Sequence, residues 1–376
     1  MNESKRSNGV DMLRGIAILL VLILHFHLTY RLHLLPFDLP WLSEAIKAVA
    51  RNGNYGVTMF FTVSGFLITS TSLRRFGAPT RIRPGTFYRF RASRILPCLV
   101  LALAIMVVLS LFEMRSFVNK PDTASMPVAV LSVLTFWHNV LMAQVGYFNY
   151  AMNILWSLSV EEVFYLSFPI VFLLLRRPRY IGIWLVVPIL FAPYYRSLHA
   201  EDEIVALYGY LSCFDAIAMG SLVALLPARR IARSTGIALR CAAGLVLALT
   251  YLSGPIMQHV VWGVSVVALC TAVLLYCFQH EAASAQPART WRVARVIRWF
   301  GQRSYELYLF HIIVLGVLRE YVTRENVGLY AKPLWLLFYL CVAALVAQIV
   351  FRHFSEPLNA MLRRGAPRPA AGLLEK

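Results

Sequence analysis

Three observations predict an all-α polytopic membrane protein. Of the 376 residues, 59% are hydrophobic and only 14% are charged, against about 25% charged in soluble domains. Apolar runs close to the ~20 residues that a helix needs to cross a bilayer recur from end to end. The arginines gather in short stretches between those runs, which is the positive-inside pattern. That placement assigns the net charge of +18 to topology and excludes nucleic acid as its partner. Spans and short loops use up the length, so no large soluble domain fits. The six cysteines all fall in apolar runs and none are paired as CxxC, which argues against a disulfide framework or a zinc site.

The first run, 10–34, has no small-residue cleavage site and is read as a retained span. Within it, DMLRGIAILLVLILHF sets Arg14 and His25 eleven residues apart. At ~100° per residue they return to one helix face, separated along the axis by roughly 16 Å. An ionisable pair on one stripe of a membrane helix marks a functional site by default. The second run, 54–72, carries Ser64 and Gly65 near mid-depth, a spacing suited to a close helix contact. The connection 73–94 holds seven arginines and no acid, so it is cytoplasmic, and the N-terminus with Lys5 and Arg6 is cytoplasmic too. Arg74 and Arg75 are assigned to topology alone. Arg91 and Arg94 form an RxxR one turn apart at the start of the third run, 95–113. With Arg14 at a similar depth they resemble an anion cradle.

The run 127–146 is the exception. If it crossed, the cluster Arg176, Arg177 and Arg179 would lie outside. It also contains Trp137, His138 and Asn139, which suit an interface. The expectation is therefore ten crossings, both termini cytoplasmic, and an external or re-entrant segment from about 114 to 155. The remaining runs are 156–175, 180–196, 204–226, 236–253, 257–278, 305–322 and 332–353. Between them, Arg229, Arg230 and Arg233 and the group from Arg289 to Arg303 fall inside, and Glu201 to Glu203 face outward. The domain plan is a cytoplasmic N-terminal segment 1–9, a transmembrane domain 10–357 and a cytoplasmic tail 358–376, disordered after about Gly365.

Counting depth at ~1.5 Å per residue from Trp156 puts Glu161 and Glu162 in the outer third of their helix. Glu162 then matches His25 in depth and is expected to orient its imidazole. Glu161 is expected at the headgroup level. Asp215, at mid-depth in CFDAIAMG, fits either a structural hydrogen-bond partner or a site wall. The depth of His311 is the least fixed by charge, because its helix can start as early as Trp299.

These residues together resemble the membrane acyltransferase-3 family, which includes bacterial O-antigen and exopolysaccharide O-acyltransferases. The resemblance covers roughly residues 8–357. It runs through Arg-x10-His in LRGIAILLVLILHF, GVTMFFTVSGFLI, RFRASRILP, WSLSVEEVFYL, FDAIAMG, SYELYLFH and FSEPL. Each string is short, and it is their joint occurrence in this order that carries the resemblance. Cys98, after RILP, stands where an aromatic is expected and does not touch the chemistry.

The resemblance implies transfer of an acyl group, commonly acetyl, from cytoplasmic acyl-CoA to a hydroxyl of a glycan or glycolipid in the lipid bilayer of the cell (inner) membrane. No metal is implied. It points to Arg14, His25, Arg91 and Arg94 as essential. Some relatives append an extracytoplasmic esterase-like domain, and the expectation here is transfer without one. In the resulting scheme Arg14, Arg91 and Arg94 bind the acyl-CoA phosphates, and His25 and Glu162 are catalytic. Ser64, Asp215, Tyr305 and His311 are candidates for the site wall. His25 acts as general base, or as a transient acyl carrier. A proton-coupled transporter without covalent chemistry is the rival reading of the same intramembrane charges. The lack of an evident inverted repeat and the cytoplasmic RxxR weigh against it.

Overall fold

The computed structural model describes residues 8–34, 39–227, 231–281 and 291–364. Lys5, Arg6, Arg229, Arg230, Arg289 and the tail from Gly365 lie outside those residues. Among the described residues every regular element is helical. This follows from the bilayer: only closed hydrogen bonding within each segment satisfies the backbone in hydrocarbon.

The first helix, α1 (Asn8–Tyr30), is followed by an amphipathic helix α2 (Pro40–Arg51) and by α3 (Asn54–Phe76). Asn52 holds the break between α2 and α3. Its Nδ2 donates to the carbonyls of Tyr251 and Gly254 at 2.6 and 2.8 Å, and its Oδ1 accepts from Ile256 N at 3.1 Å. Next comes α4 (Pro84–Leu111), with proline at its start, where a missing N–H costs nothing. Its 28 residues span ~42 Å and include Arg89 as well as Arg91 and Arg94, which lie on a helix start as their spacing predicts.

The run 127–146 forms two short helices, α5 (Met126–Leu134) and α6 (His138–Val145), too short to cross. They break at Phe136, whose φ of 63° is left-handed, and whose carbonyl accepts from Tyr210 Oη at 2.5 Å. A buried single turn, Met152–Leu155, then leads into α7 (Trp156–Leu175). It is followed by α8 (Pro178–Leu198), a short α9 (Glu203–Tyr208) and α10 (Tyr210–Leu225). The single span expected over 204–226 is thus divided at Gly209.

The second half comprises α11 (Arg233–Leu252), α12 (Gly263–Glu281), α13 (Arg292–Gln302), α14 (Ser304–Tyr321), α15 (Lys332–Val350) and α16 (Glu356–Leu362). One wide π turn, Phe351–Ser355, joins the last two. Trp299 belongs to α13, which is separate from the helix of His311. The packed body also passes the boundary drawn at 357. Arg89 donates to the carbonyls of Leu362 and Arg364 at 3.1 and 2.7 Å.

Eight helical stretches among the described residues are long and apolar enough to cross a membrane. The 19-residue α12 and 18-residue α14 stand where the other two spans are predicted. Burial separates the interior from the rim. The stretch containing α10 is 61% buried and α11 only 11%, so α11 lies at the rim. At the centre α3 and α10 approach backbone to backbone. A Cβ on Gly65 would come within 2.0 Å of the Ile217 carbonyl oxygen, and one on Gly220 within 1.8 Å of that of Thr62. Gly65 thus makes the close contact that its sequence position predicts.

Candidate active site

An open cavity of about 1320 Å³, counting the space at its mouth, lies between α1, α3, α4, α7 and α14. Arg14, Arg75, Arg91, Arg94 and Arg363 line it toward the arginine-rich end of the bundle. Its inner end is built from Ser64, Ser157, Glu161 and Tyr308. The three arginines singled out from sequence therefore share one cavity, and Ser64 and Tyr305 stand on its wall.

Arg14, Tyr305 and Tyr308 are each held in the wall by a neighbour. Arg14, 7% exposed, donates from Nη2 to Ser304 Oγ at 2.8 Å. The Tyr305 hydroxyl donates to the Ile95 carbonyl at 2.8 Å, tying α14 to α4. Tyr308 shares a 2.7 Å hydroxyl–hydroxyl bond with Ser157.

Arg91 is clasped by two carboxylates. Its Nε donates to Glu162 Oε1 at 2.8 Å, and its Nη2 lies 2.7 Å from the same oxygen and 2.8 Å from Glu161 Oε2. Ser64 Oγ donates to Glu161 Oε2 at 3.1 Å, and the Arg91 guanidinium lies 4.3 Å from the centre of the Tyr165 ring. This refines one expectation and corrects another. Glu161, expected at the headgroup level, lines the cavity and pairs with Arg91. Glu162 meets Arg91 and not His25. The chain is already packed into the protein at Ile154 and Leu155, before α7 begins, which sets the carboxylates of α7 against α4. An arginine whose charge is matched by two glutamates is less available to phosphate than the sequence suggested.

The orienting partner of His25 is another histidine. His25 Nδ1 lies 2.8 Å from the Val21 carbonyl and 3.4 Å from His311 Nε2. His311, fully buried, directs its own Nδ1 to the carbonyls of Leu307 and Tyr308 at 2.9 and 2.7 Å. A carbonyl only accepts, so these bonds assign the proton to Nδ1 of both rings. His311 Nε2 is then an acceptor facing His25, and His25 Nε2 keeps its lone pair. The two rings are 5.0 Å apart, and that of Tyr308 lies 6.0 Å from His311. Tyr308 and His311 thus connect the inner end of the cavity to His25. On the far side, Tyr150 Oη bonds Thr29 Oγ1 at 2.8 Å and the His25 carbonyl at 3.2 Å.

Asp215 does not reach the cavity. Its Oδ2 accepts from Arg196 Nη2 at 2.9 Å and Ser265 Oγ at 2.6 Å, and Arg196 also bonds the carbonyls of Ser212 and Val261. Both charged side chains are fully buried. This is a structural tie between α8, α10 and α12, the first of the two roles open to Asp215. Arg196 escaped sequence reading because it closes an apolar run beside polar residues, where an arginine ordinarily snorkels to water.

The fold defines a polytopic membrane protein with a cationic cavity, and Tyr308 of its wall packs against a histidine pair that does not itself line it. The chain belongs to the acyltransferase-3 family, described as an acyltransferase domain, whose model matches residues 7–352. It is 23% identical over 371 residues to O-acetyltransferase OatA of Staphylococcus aureus (strain NCTC 8325 / PS 47), covering 93% of this chain and 57% of that protein. A putative O-acetyltransferase of S. aureus strain COL is 23% identical over 383 residues, with the same coverage. The chain thus spans about 57% of the length of these relatives. No solved structure matches. Family membership supports acyl transfer over the transporter reading.

Proposed function

We propose that this protein is an O-acyltransferase that moves an acetyl group from cytoplasmic acyl-CoA to a hydroxyl of an exported or cell-surface glycan. The observation that supports the reading is an arginine-lined cavity whose wall residue Tyr308 packs against His311, which in turn packs against His25. The names of the O-acetyltransferase relatives support acetyl as the group and oxygen as its acceptor. The arginine-rich mouth faces the cytoplasm by the positive-inside rule, with both termini on that side and ten crossings of the inner membrane.

In this mechanism the acyl-CoA phosphates bind at the mouth, with Arg14 and Arg94 among their ligands. The pantetheine arm runs inward and brings the thioester toward the histidine pair. The acceptor enters from the opposite side. Its hydroxyl gives a proton to His25 Nε2 while its oxygen attacks the thioester carbonyl. The C–S bond then breaks, and the thiolate takes the proton back from the imidazolium. In the variant through an acyl-histidine, Nε2 attacks the thioester and the thiolate leaves as the C–S bond breaks; the acceptor oxygen then attacks the acyl-imidazolium, the C–N bond breaks, and the acceptor proton goes to the thiolate. His311 positions the imidazole in either case. Glu162 holds Arg91 in the wall and takes no proton from the reaction.

The test uses purified protein in nanodiscs. His25→Ala should lower acyl transfer by ~10²–10⁴ and leave acetyl-CoA binding within a factor of a few. Transfer near the parent rate removes His25 from the chemistry. Absence of acetyl-CoA binding in the parent protein removes acyl-CoA as the donor.

A further inference from the structure

Two arginines at the mouth of the cavity share one aromatic ring. Arg75, the second-last residue of α3, places its guanidinium 3.5 Å from the centre of the Phe90 ring. Arg363, just beyond α16, lies 5.1 Å from the same centre. Arg363 is fixed further by Nε to Ser93 Oγ at 3.3 Å and Nη2 to the Phe90 carbonyl at 3.5 Å. Ser93 is itself buried and bonded to Asn359 Oδ1 at 3.4 Å. All three residues of the cluster line the cavity.

Neither guanidinium has a carboxylate within ion-pair distance among the described residues, in contrast to Arg91, which has two. Burial, and after it the field of Arg75, lowers the pKa of Arg363, with Glu356 opposing from a distance. Two like charges are thus held together on one ring without a bonded counter-ion. A chain that needed these arginines only for topology would let them spread into water.

We propose that Arg75 and Arg363, stacked on Phe90, form a phosphate-monoester subsite that takes the 3′-phosphate of the acyl-CoA. The inference rests on the donor reading above and adds a residue-level address for one phosphate. A monoester is dianionic near neutral pH and offers three terminal oxygens, enough for both planar guanidiniums at once. The 3′-phosphate sits at the end of CoA farthest from the thioester, and Arg75 sits eleven residues, ~16 Å, along α3 from Ser64 at the cavity's inner end. The diphosphate lies nearer the thioester, beside Arg14 and Arg94. A phosphate of an anionic lipid headgroup has the same chemistry, so the experiment separates the two sources.

Apparent affinities for acetyl-CoA and 3′-dephospho-acetyl-CoA are measured on the full chain in nanodiscs, in zwitterionic lipid and with added phosphatidylglycerol. The parent should prefer acetyl-CoA by about tenfold or more in both lipids. Arg75→Gln and Arg363→Gln should each weaken acetyl-CoA and leave the dephospho compound unchanged, so that the preference falls toward unity. Retained binding of the dephospho compound shows that the variant is folded. A parent that does not discriminate overturns the proposal, and that arm needs no variant. So does a preference that survives both substitutions. If phosphatidylglycerol abolishes the parent's preference, the pair belongs to a lipid phosphate and the assignment to CoA fails. Binding of neither nucleotide by the parent overturns the donor reading itself, and with it this subsite.

Discussion

Replacing Arg91 by alanine should do more harm than removing the carboxylates that hold it. The arginine side chain is 12% exposed, and those of Glu161 and Glu162 are 17% and 9%. Arg91→Ala strands two carboxylates in a site mostly closed to water. Breaking a buried ion pair from one side costs about 3–5 kcal/mol. Glu162→Gln is milder, since the guanidinium keeps its 2.8 Å contact to Glu161 Oε2, and the loss is about 1.5–3 kcal/mol for a charged hydrogen bond. Adding Glu161→Gln and Glu162→Gln to Arg91→Ala removes the stranded charges, so the triple variant should be more stable than Arg91→Ala alone, by about 2 kcal/mol or more. Unfolding of purified protein followed by tryptophan fluorescence in one detergent measures each difference. Acetyl-CoA affinity should follow the same order, because stranded carboxylates repel its phosphates. If the triple variant is as unstable as the sum of its parts, the three residues act independently and the clasp is refuted.

Two other predictions concern the frame around the site. Asp215→Asn should destabilise the fold by about 3–5 kcal/mol through the buried Arg196, while the KM for acetyl-CoA stays within a factor of two. A change confined to KM would return Asp215 to the site wall. For topology, Tyr147 is the position to label, being 38% exposed where its neighbour Phe148 is 3%. A cysteine there should react with an impermeant reagent from outside and one at Arg233 should not. Reaction of Tyr147→Cys only from the cytoplasmic side would mean that α5 and α6 carry the chain across.

Much of this arrangement is legible in the sequence because it follows from local rules. Helix periodicity puts Arg14 and His25 on one stripe. Arginine clusters order the spans, and their bias singles out 127–146 as the run that does not fit. What escaped depends on where helices begin. Pro84 is a helix-start signal that extends α4 back past Arg91 to include Arg89. The buried turn at Met152–Leu155 has no comparable signal, and the pairing of Glu162 with Arg91 depends on how that turn seats α7. The histidine pair was hidden for a related reason. Once α13 ends at Gln302 and α14 begins at Ser304, His311 lies ~10 Å into its helix, beside His25. Nothing in a single sequence reveals that Phe90 gathers Arg75 with a residue 288 positions later.

The central claim is that the acyl group enters at the arginine-lined mouth and leaves on the other side of the membrane. Sealed proteoliposomes test it directly, with the protein's orientation fixed by protease access to the arginine-rich loops. Acetyl-CoA is supplied only on the side of the mouth and the glycan acceptor only on the opposite side. Acetylated acceptor should accumulate in the compartment that never contained acetyl-CoA, and His25→Ala should abolish it. Product formed only when both substrates share one compartment would contradict transfer across the bilayer.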